Sequence, residues 1–271
     1  MTRIAVIGGG RIGEALISGL LKAGRAPKDL VVAEQYAPRA EELSGQFGIR
    51  ATTIVDAAEG AHVIVVAVKP ADVDSVMTEL ASMDLDGEVE QLVVTLAAGL
   101  PTARYEAKLP AGFPVVRVMP NTPMLVGEGV SAIAAGRYAT AEHMQTVREI
   151  LESVGKVVTV AESQIDAVTA VSGSGPAYLF LVAEAMIEAG VGLGLTRATT
   201  TELVVQTMLG AAAMLDSSGE SAHDLRAAVT SPGGTTAAAV RELERGGLRT
   251  AFYEALVAAK SRSAALGASP E

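Results

Sequence analysis

A glycine-rich segment near the start of the chain has the spacing of a dinucleotide-binding turn. Residues 8–13 read GGGRIG, between an apolar run that predicts a strand, residues 3–7, and a stretch that predicts a helix, residues 12–22. In such turns the first glycine permits the bend, the second lets backbone approach a pyrophosphate, and the third packs helix on strand. A tight glycine turn in another kind of α/β domain is the structural alternative. We predict dinucleotide contacts from Gly8, Gly10, Arg11, Ile12 and Gly13.

Two charged residues after the second predicted strand bear on which dinucleotide is bound. Glu34 follows that strand, about twenty residues after the glycine segment, which is the usual place for an acid that accepts hydrogen bonds from the adenosine ribose. A carboxylate there favours NADH because it repels a 2′-phosphate. Arg39 is near enough in sequence to fold over a 2′-phosphate and so favours NADPH. The sequence leaves both cofactors open.

Three further segments are expected at the edge of the sheet where ligands bind in open α/β folds. The sequences AVKP, AAG and MPNTP close or follow the third, fourth and fifth predicted strands. A lysine in the crevice suits a cofactor contact, small residues let a nicotinamide ring lie against backbone, and an asparagine can hydrogen-bond a carboxamide. Each segment also has a structural alternative. The lysine is then simply exposed, the small side chains serve packing, and the asparagine forms a turn. We predict cofactor contacts from Ala67, Val68, Lys69, Pro70, Ala97 and Asn121.

Two segments in the second half of the chain combine glycine with hydroxyl residues directly before predicted helices. Residues 172–178 read SGSGPAY, and residues 231–236 read SPGGTT. Free backbone amides at a helix N-terminus, with glycines that let a ligand come close, suit a carboxylate anion. The hydroxyls of Thr235 and Thr236 would complete such a site. Ordinary capping by serine and threonine is the structural alternative.

The elements that position these residues change character near residue 161. Before it, short β-branched runs alternate with helical stretches, which predicts a parallel sheet covered by helices; after it, Ala, Leu, Met and Glu recur at helical spacing. We predict an α/β dinucleotide-binding domain over residues 1–161 and an all-α domain over residues 162–271. Strands are expected over residues 3–7, 30–33, 63–68, 92–96, 115–118 and 157–160, and the later helices over residues 165–171, 176–189, 198–215 and 248–266.

One of these helices predicts a partner subunit. Residues 176–190 are apolar on almost every side, and the surface of one domain would hardly cover them. The most apolar part, residues 177–183, is about two helical turns long, against the ~20 residues that cross a bilayer. We therefore expect association with a second copy of the chain and no membrane span.

Composition argues against several functional classes. The net charge of -10 repels nucleic acid and anionic lipid, so neither is expected as a partner. The chain has no cysteine, and no His, Asp or Glu cluster has the spacing of metal ligands, so no metal site is expected. No export signal is recognised at the N-terminus, and we expect a cytoplasmic protein.

Residues 229–236, VTSPGGTT, resemble the signature of the pyrroline-5-carboxylate reductase family. The segments SGSGPAY, AVKP, AAG and MPNTP also match that family, so the resemblance spans almost the whole chain. It implies a Rossmann-like N-terminal domain, a helical C-terminal domain that interlocks with a second subunit, and a site that straddles two subunits. The implied assembly is a homodimer or a larger ring of dimers. The implied reaction is the reduction of 1-pyrroline-5-carboxylate to L-proline by NADPH or NADH.

The resemblance also implies roles for individual residues. The loop that begins at Ser231 would hold the substrate carboxylate through Gly234, Thr235 and Thr236, and Thr236 would lie near the ring nitrogen as the catalytic residue. Glu162 matches a position that contacts ligand in similar proteins, although a glutamate in a first helical turn is also explained by the helix dipole.

The sequence departs from the family pattern in two places. Ala228 stands where some relatives carry an asparagine, and residues 221–224, SAHD, replace a turn that more usually contains proline. Both changes put local ligand contacts in doubt without affecting the chemistry.

Two other functions share parts of this sequence pattern. A 3-hydroxyacid dehydrogenase also joins a Rossmann-like domain to helices, but is expected to carry a catalytic lysine on the first helix after the boundary, and residues 165–195 contain none. A non-catalytic redox sensor would bind dinucleotide and use the helices only for association; the retained Thr235 and Thr236 argue against it.

Overall fold

The structure, a computed structural model, describes residues 2–83 and 90–268. The chain divides into two compact units, one made of Met1–Ser174 and Ala259–Glu271, the other of Gly175–Ala258. This division falls later than the predicted boundary at residues 161 and 162. Residues 259–268, the end of the last helix, also belong to the first unit.

One sheet organises the first unit. Within residues 2–83 and 90–268 it has eight strands in the order β3-β2-β1-β4-β5-β6-β7-β8, and every neighbouring pair is parallel except β6 and β7. The central strand β1 aligns Ile7 with Ala33 on β2 and with Val66 on β4, so these three strands end level with one another. The strands are β1 (Ile4–Ile7), β2 (Leu30–Ala33), β3 (Arg50–Thr52), β4 (Val63–Val66), β5 (Leu92–Thr95), β6 (Val115–Met119), β7 (Gly129–Ala135) and β8 (Gly155–Thr159).

All six predicted strands are present, and two strands were missed. The predicted parallel arrangement is confirmed for β1, β2, β4, β5 and β6, whereas β8 is parallel to β7 and therefore runs opposite to those five. Strand β3 has only three residues and begins with the exposed Arg50. Strand β7 has the sequence GVSAIAA, whose small side chains lack the continuous β-branched pattern of the other strands. It runs antiparallel to β6, which the alternating pattern of strands and helices did not predict.

Helices cover both faces of the sheet, as the two-sided burial of its central strands requires. On β1, Ile4 and Val6 belong to one buried cluster, while Ala5 and Ile7 belong to the other. Alternation along the strand therefore divides the core into two layers. The helices of this unit are α1 (Arg11–Lys22), α2 (Ala37–Phe47), α3 (Ile54–Ala58), α4 (Val73–Ala81), α5 (Thr102–Glu106), α6 (Ala141–Leu151) and α7 (Ile165–Val168).

Residues 162–174 extend the first unit past its last strand. A 3-10 turn at Glu162–Gln164, helix α7 and a π-helical turn at Thr169–Gly173 follow one another. Ile165 is buried against Ala132 and Ala134 of β7. This burial explains why the compact division lies after these residues. The assignment of residues 1–161 and 162–271 as separate domains stays a prediction.

The second unit is helical, as predicted. It contains α8 (Gly175–Gly192), α9 (Arg197–Ser217), α10 (Ala222–Ala228), α11 (Thr235–Arg245) and the first half of α12 (Leu248–Ala268). Helices α8 and α9 approach closely, since a Cβ built on Gly190 would lie 2.4 Å from Cγ2 of Thr200. Tyr178 and Phe252 make an edge-to-face contact with ring centroids 6.5 Å apart.

Large apolar side chains remain exposed on this unit. No residue of α8 is buried, and Leu179, Phe180 and Leu181 on it are more than half exposed. Leu203 and Leu209 of α9 are also more than half exposed. Exposed apolar surfaces of this kind are typical of sites that contact another protein or a membrane.

The run of helical turns at Glu162–Gly192 is, among the described residues, the one segment long and apolar enough to cross a membrane by length and composition. It is longer than the predicted apolar stretch because the turns before residue 175 continue into α8. A helix at a protein interface passes the same test, so a single such run is weak support for a membrane role.

Candidate active site

The glycine turn has the geometry that its spacing predicted. Gly8 has φ of +105°, a left-handed conformation that side chains disfavour. A Cβ on Gly13 would lie 2.1 Å from the carbonyl oxygen of Gly8, so α1 can approach β1 this closely only with glycine at that position. No heavy atom lies within 4 Å of a Cβ built on Gly10, which leaves its backbone open to a ligand.

Free amides point out of the start of α1. Gly10 is the N-cap residue and offers no side-chain acceptor. The first helical hydrogen bond runs from the amide of Glu14 to the carbonyl of Gly10, at 2.8 Å. The amides of Arg11, Ile12 and Gly13 come before it and have no helical acceptor. This helix end is therefore able to bind the phosphates of a dinucleotide.

Glu34 is fixed against the glycine turn. Its Oε2 accepts a hydrogen bond from the amide of Gly9 at 2.9 Å, and its Oε1 accepts one from the amide of Tyr36 at 2.8 Å. The carboxylate thus lies at the carboxyl end of β2 with both oxygens held by the backbone. Each oxygen keeps a lone pair that could accept a further hydrogen bond.

Arg39 is paired within the protein. Its Nε donates to the carbonyl of Gly9 at 2.9 Å, and its guanidinium pairs with Glu42 at 2.7 Å and with Glu14. Hydrogen bonds from the guanidinium to Glu42 and Glu14 raise the pKa of Arg39. The side chain predicted to attract a 2′-phosphate is therefore neutralised by two carboxylates.

A cleft of about 840 Å³ opens beside these residues. It contains Gly8, Gly10, Glu34, Ala67, Val68 and Lys69, six of the residues predicted to contact a cofactor. The sequence did not predict the part of the wall formed by β3, by α3 and α4, and by the residues directly before these two helices. That part includes Thr52, Thr53, Ile54, Asp72, Ser75, Val76 and Glu79.

The loop after β5 is constrained by packing. Ala97 is buried in the core, and Gly99 has φ of +83°. A Cβ on Gly99 would lie 3.3 Å from Cβ of Leu266, and one on Gly267 would lie 2.3 Å from the carbonyl oxygen of Gly99. The end of α12 therefore packs on this loop. Packing explains the small side chains here, and only the backbone of Ala97 remains for a cofactor contact.

Asn121 links two segments that the sequence singled out separately. Its amide nitrogen donates to the carbonyl of Ser172 at 3.2 Å, and its amide oxygen accepts from the amide of Val130 at 2.9 Å. The side chain thus joins the end of β6 to the start of the SGSGPAY segment. This supports a structural role in the turn, and the predicted carboxamide contact stays a prediction.

Glu162 anchors the turn that follows β8. Its Oε1 accepts from the amide of Thr102 at 2.6 Å, and its Oε2 accepts from the Thr102 hydroxyl at 2.9 Å. Arg117, whose side chain is almost fully buried, lies 3.6 Å from Oε1. Both carboxylate oxygens are thus engaged within the first unit, and contact with a substrate stays a prediction.

In the second unit, residues 231–236 form a tight turn before α11. Gly234 is the N-cap residue and has no side-chain cap; its own amide donates to the carbonyl of Ser231 at 3.0 Å. A Cβ on Gly234 would lie 2.7 Å from Oγ of Ser231 and 3.2 Å from its carbonyl oxygen, so the turn is tight at this position. The first helical hydrogen bond joins the amide of Ala238 to Gly234 at 3.2 Å, which leaves the amides of Thr235 and Thr236 without a helical acceptor.

Sequence comparison with known proteins identifies the family of this chain. The chain is 54% identical to pyrroline-5-carboxylate reductase of Mycobacterium tuberculosis, covering 100% of this chain and 99% of the relative. It is 51% identical to the Corynebacterium melassecola enzyme of the same name, over 98% of this chain and 99% of the relative. The chain belongs to the pyrroline-5-carboxylate reductase family. The resemblance inferred from the sequence is thereby confirmed.

Family models and solved structures match both parts of this pyrroline-5-carboxylate reductase family member. Residues 162–266 match the model for pyrroline-5-carboxylate reductase dimerisation, and residues 3–99 match the model for NADP oxidoreductase, coenzyme F420-dependent. The structure of the Coxiella burnetii family member is similar with a TM-score of 0.93, at 38% identity over 99% of both chains. That of the Plasmodium falciparum family member with NADP bound has a TM-score of 0.87, at 29% identity over 98% of both chains. The Rossmann-like and helical fold class and the assignment of NAD(P)H as cofactor are confirmed.

Proposed function

We propose that this chain reduces 1-pyrroline-5-carboxylate to L-proline with NADH or NADPH, the last step of proline biosynthesis. The observation that carries the proposal is the similarity to enzymes of that name over the whole chain, so that both the cofactor turn and the SPGGTT turn lie within the matched region. The geometry of the two turns is consistent with it, since each presents free backbone amides to an anion.

The first unit is proposed to bind the cofactor. The fit rests on the open backbone at Gly10, the free amides at the start of α1, and the ribose-side carboxylate of Glu34. When bound, the nicotinamide supplies the hydride that the reaction needs. The proposed contacts are Gly8, Gly10, Arg11, Ile12, Gly13, Glu34, Arg39, Ala67, Val68, Lys69, Pro70, Ala97 and Asn121.

The SPGGTT turn is proposed to orient the substrate. The free amides of Thr235 and Thr236 bind the carboxylate, with Ser231 and the backbone of Gly234 beside it, and thereby fix the ring. A cyclic imine protonated on nitrogen is already electrophilic, so no strong base is needed. Correct positioning of the ring lowers the activation barrier by roughly several kcal/mol. The imine carbon receives the hydride, and the electron pair of the C=N π bond moves to nitrogen. The Thr236 hydroxyl accepts a hydrogen bond from the ring N–H and is the proposed catalytic residue.

Glu162 is proposed to contact the substrate as well. Because its oxygens already accept hydrogen bonds from Thr102, contact with substrate would use the remaining lone pairs.

The two domains are proposed to divide the work, with cofactor binding over residues 1–161 and dimerisation and substrate binding over residues 162–271. The start of the matched dimerisation model at residue 162 supports it.

The proposed assembly is a cytoplasmic homodimer through the helical unit, and a larger ring of such dimers extends it. The exposed apolar side chains of α8 and α9 support it, because pairing with a second copy would remove them from water. The same pairing accounts for the apolar run at Glu162–Gly192 without a membrane.

A spectrophotometric assay tests the function. The purified protein is mixed with reduced cofactor and either 1-pyrroline-5-carboxylate or a panel of 3-hydroxyacids with oxidised cofactor, and the absorbance of the reduced form is followed. We expect consumption of reduced cofactor with the imino acid alone, and L-proline as product. Turnover only with hydroxyacids, or cofactor binding without any turnover, would contradict the proposal and favour a dehydrogenase or a redox sensor.

A further inference from the structure

The adenosine end of the cofactor cleft carries a fixed negative charge. Glu34 lies at the carboxyl end of β2, and its two oxygens are held by the amides of Gly9 and Tyr36. Rotating the carboxylate away would break both hydrogen bonds at once. A ligand group that approaches this position therefore meets a carboxylate that stays in place.

The cation nearest to Glu34 in sequence is not available to offset that charge. Arg39 pairs with Glu14 and Glu42 and also donates to the carbonyl of Gly9, so a 2′-phosphate would have to compete with two carboxylates for it. Its side chain is about one-fifth exposed, and it is not among the described residues that line the cleft.

The charged residues that line the cleft are mostly acidic, which also disfavours an additional phosphate. Among the described lining residues, Lys69 is the one cation, against the carboxylates of Glu34, Asp72 and Glu79. Lys69 follows β4, which is separated from β2 by β1, and neighbouring strands lie about 4.8 Å apart. The lysine is therefore placed for the middle of a dinucleotide rather than for its adenosine ribose.

We infer that this chain binds NADH in preference to NADPH, and that Glu34 is the residue that sets this preference. The free lone pairs of the Glu34 carboxylate accept hydrogen bonds from two ribose hydroxyls, whereas a 2′-phosphate replaces a donor with a dianion next to a fixed negative charge. Like charges a few ångströms apart in a partly exposed cleft change affinity by about tenfold or more. The inference rests on the proposed cofactor role of this cleft and narrows it to one dinucleotide.

Calorimetric binding to the wild-type protein tests the inference without any substitution. We expect NADH to bind at least about tenfold more tightly than NADPH, and 5′-AMP more tightly than adenosine 2′,5′-bisphosphate. Raising the salt concentration should reduce the difference, because it arises between charges that solvent can screen. Equal or tighter binding of NADPH would overturn the inference. Failure of both dinucleotides to bind would overturn the proposed function as well, so the two failures are distinguishable.

Variants then assign the preference to a residue. Glu34→Gln should shift the ratio of the two dissociation constants toward NADPH by about tenfold, whereas Glu41→Gln, the same charge change on an exposed position outside the cleft, should leave it unchanged. A ratio unaffected by Glu34→Gln would overturn the role of Glu34.

Discussion

Replacing Gly13 by alanine should damage both stability and cofactor binding, because the glycine lies where α1 meets the strand β1. The new Cβ would lie 2.1 Å from the carbonyl oxygen of Gly8 and 3.3 Å from Cγ1 of Val6. An ordinary carbon–oxygen contact is about 3.3 Å, so the helix and the turn must separate by about 1 Å. Gly13 is buried, and neither backbone segment has a flexible side chain that could yield instead.

The magnitude follows from two effects. Overpacking of this kind costs about 1–3 kcal/mol, from which the better helix propensity of alanine subtracts about 0.5–1 kcal/mol. A displacement of about 1 Å also stretches amide–phosphate hydrogen bonds beyond their useful length, and each such bond to a charged group contributes about 1.5–3 kcal/mol. We therefore expect a net destabilisation of about 1 kcal/mol, within a range of about 0–2.5 kcal/mol, and a dissociation constant for NADH raised about tenfold to a hundredfold.

Gly45→Ala is the matched control. Gly45 lies inside α2, and a Cβ built on it has no heavy atom within 4 Å. Urea unfolding followed by circular dichroism and calorimetric titration with NADH should show a slightly stabilised protein with unchanged affinity for this variant. If Gly13→Ala matched Gly45→Ala in both measurements, the close approach of α1 to the glycine turn would not have the role argued for it.

Three further substitutions test other parts of the molecule. Thr236→Ala should lower kcat strongly with little change in cofactor affinity, and parental kcat in single-turnover and steady-state assays would remove Thr236 from the mechanism. Hydrogen bonds from Arg104, then from Lys108, lower the pKa of Asp74 from 3.8 to about 2. Asp74 therefore stabilises the fold above pH 3.8 and loses this effect as the pH falls toward 2. Because the ion pair of Asp74 and Arg104 is partly exposed, Asp74→Asn should lower the free energy of unfolding in urea by under about 1 kcal/mol at pH 7 and leave it unchanged near pH 2. A loss of stability that does not depend on pH would contradict this role of Asp74. Phe180→Asp should shift the assembly toward monomers in analytical ultracentrifugation, because an exposed apolar side chain of α8 would become charged at the interface, whereas an unchanged sedimentation coefficient would place the interface elsewhere.

The glycine turn was predictable because its conformation is local. The left-handed φ of Gly8 and the close packing at Gly13 each require a glycine, so their spacing is already visible in the sequence. The buried parallel strands were predictable for a related reason, since burial on both faces leaves continuous apolar runs.

The missed elements depend on pairing between distant residues. Strand β7 is rich in small residues and becomes a strand through its pairing with β6 and β8, which no local pattern encodes. The cleft wall at Thr52 and Thr53 was missed for the same reason, because it exists only once β3 pairs with β2.

The hydrogen-bond partners of single polar residues in the site depend on contacts that form only in the folded chain. Glu162 was expected from the family resemblance to contact ligand, yet its carboxylate accepts two hydrogen bonds from Thr102, sixty residues earlier in the chain. Asn121 similarly binds Ser172 and Val130 rather than facing an open cleft alone. The sequence identifies such residues as polar and well placed, but it does not give their partners.

A crystal structure of the complex with L-proline and oxidised cofactor is the most direct measurement of the central claim. It should show the carboxylate of proline against Gly234 and hydrogen-bonded to the free amides of Thr235 and Thr236, with the pyrophosphate over the start of α1. A carboxylate bound at any other part of the protein, with the turn before α11 left empty, would contradict the account.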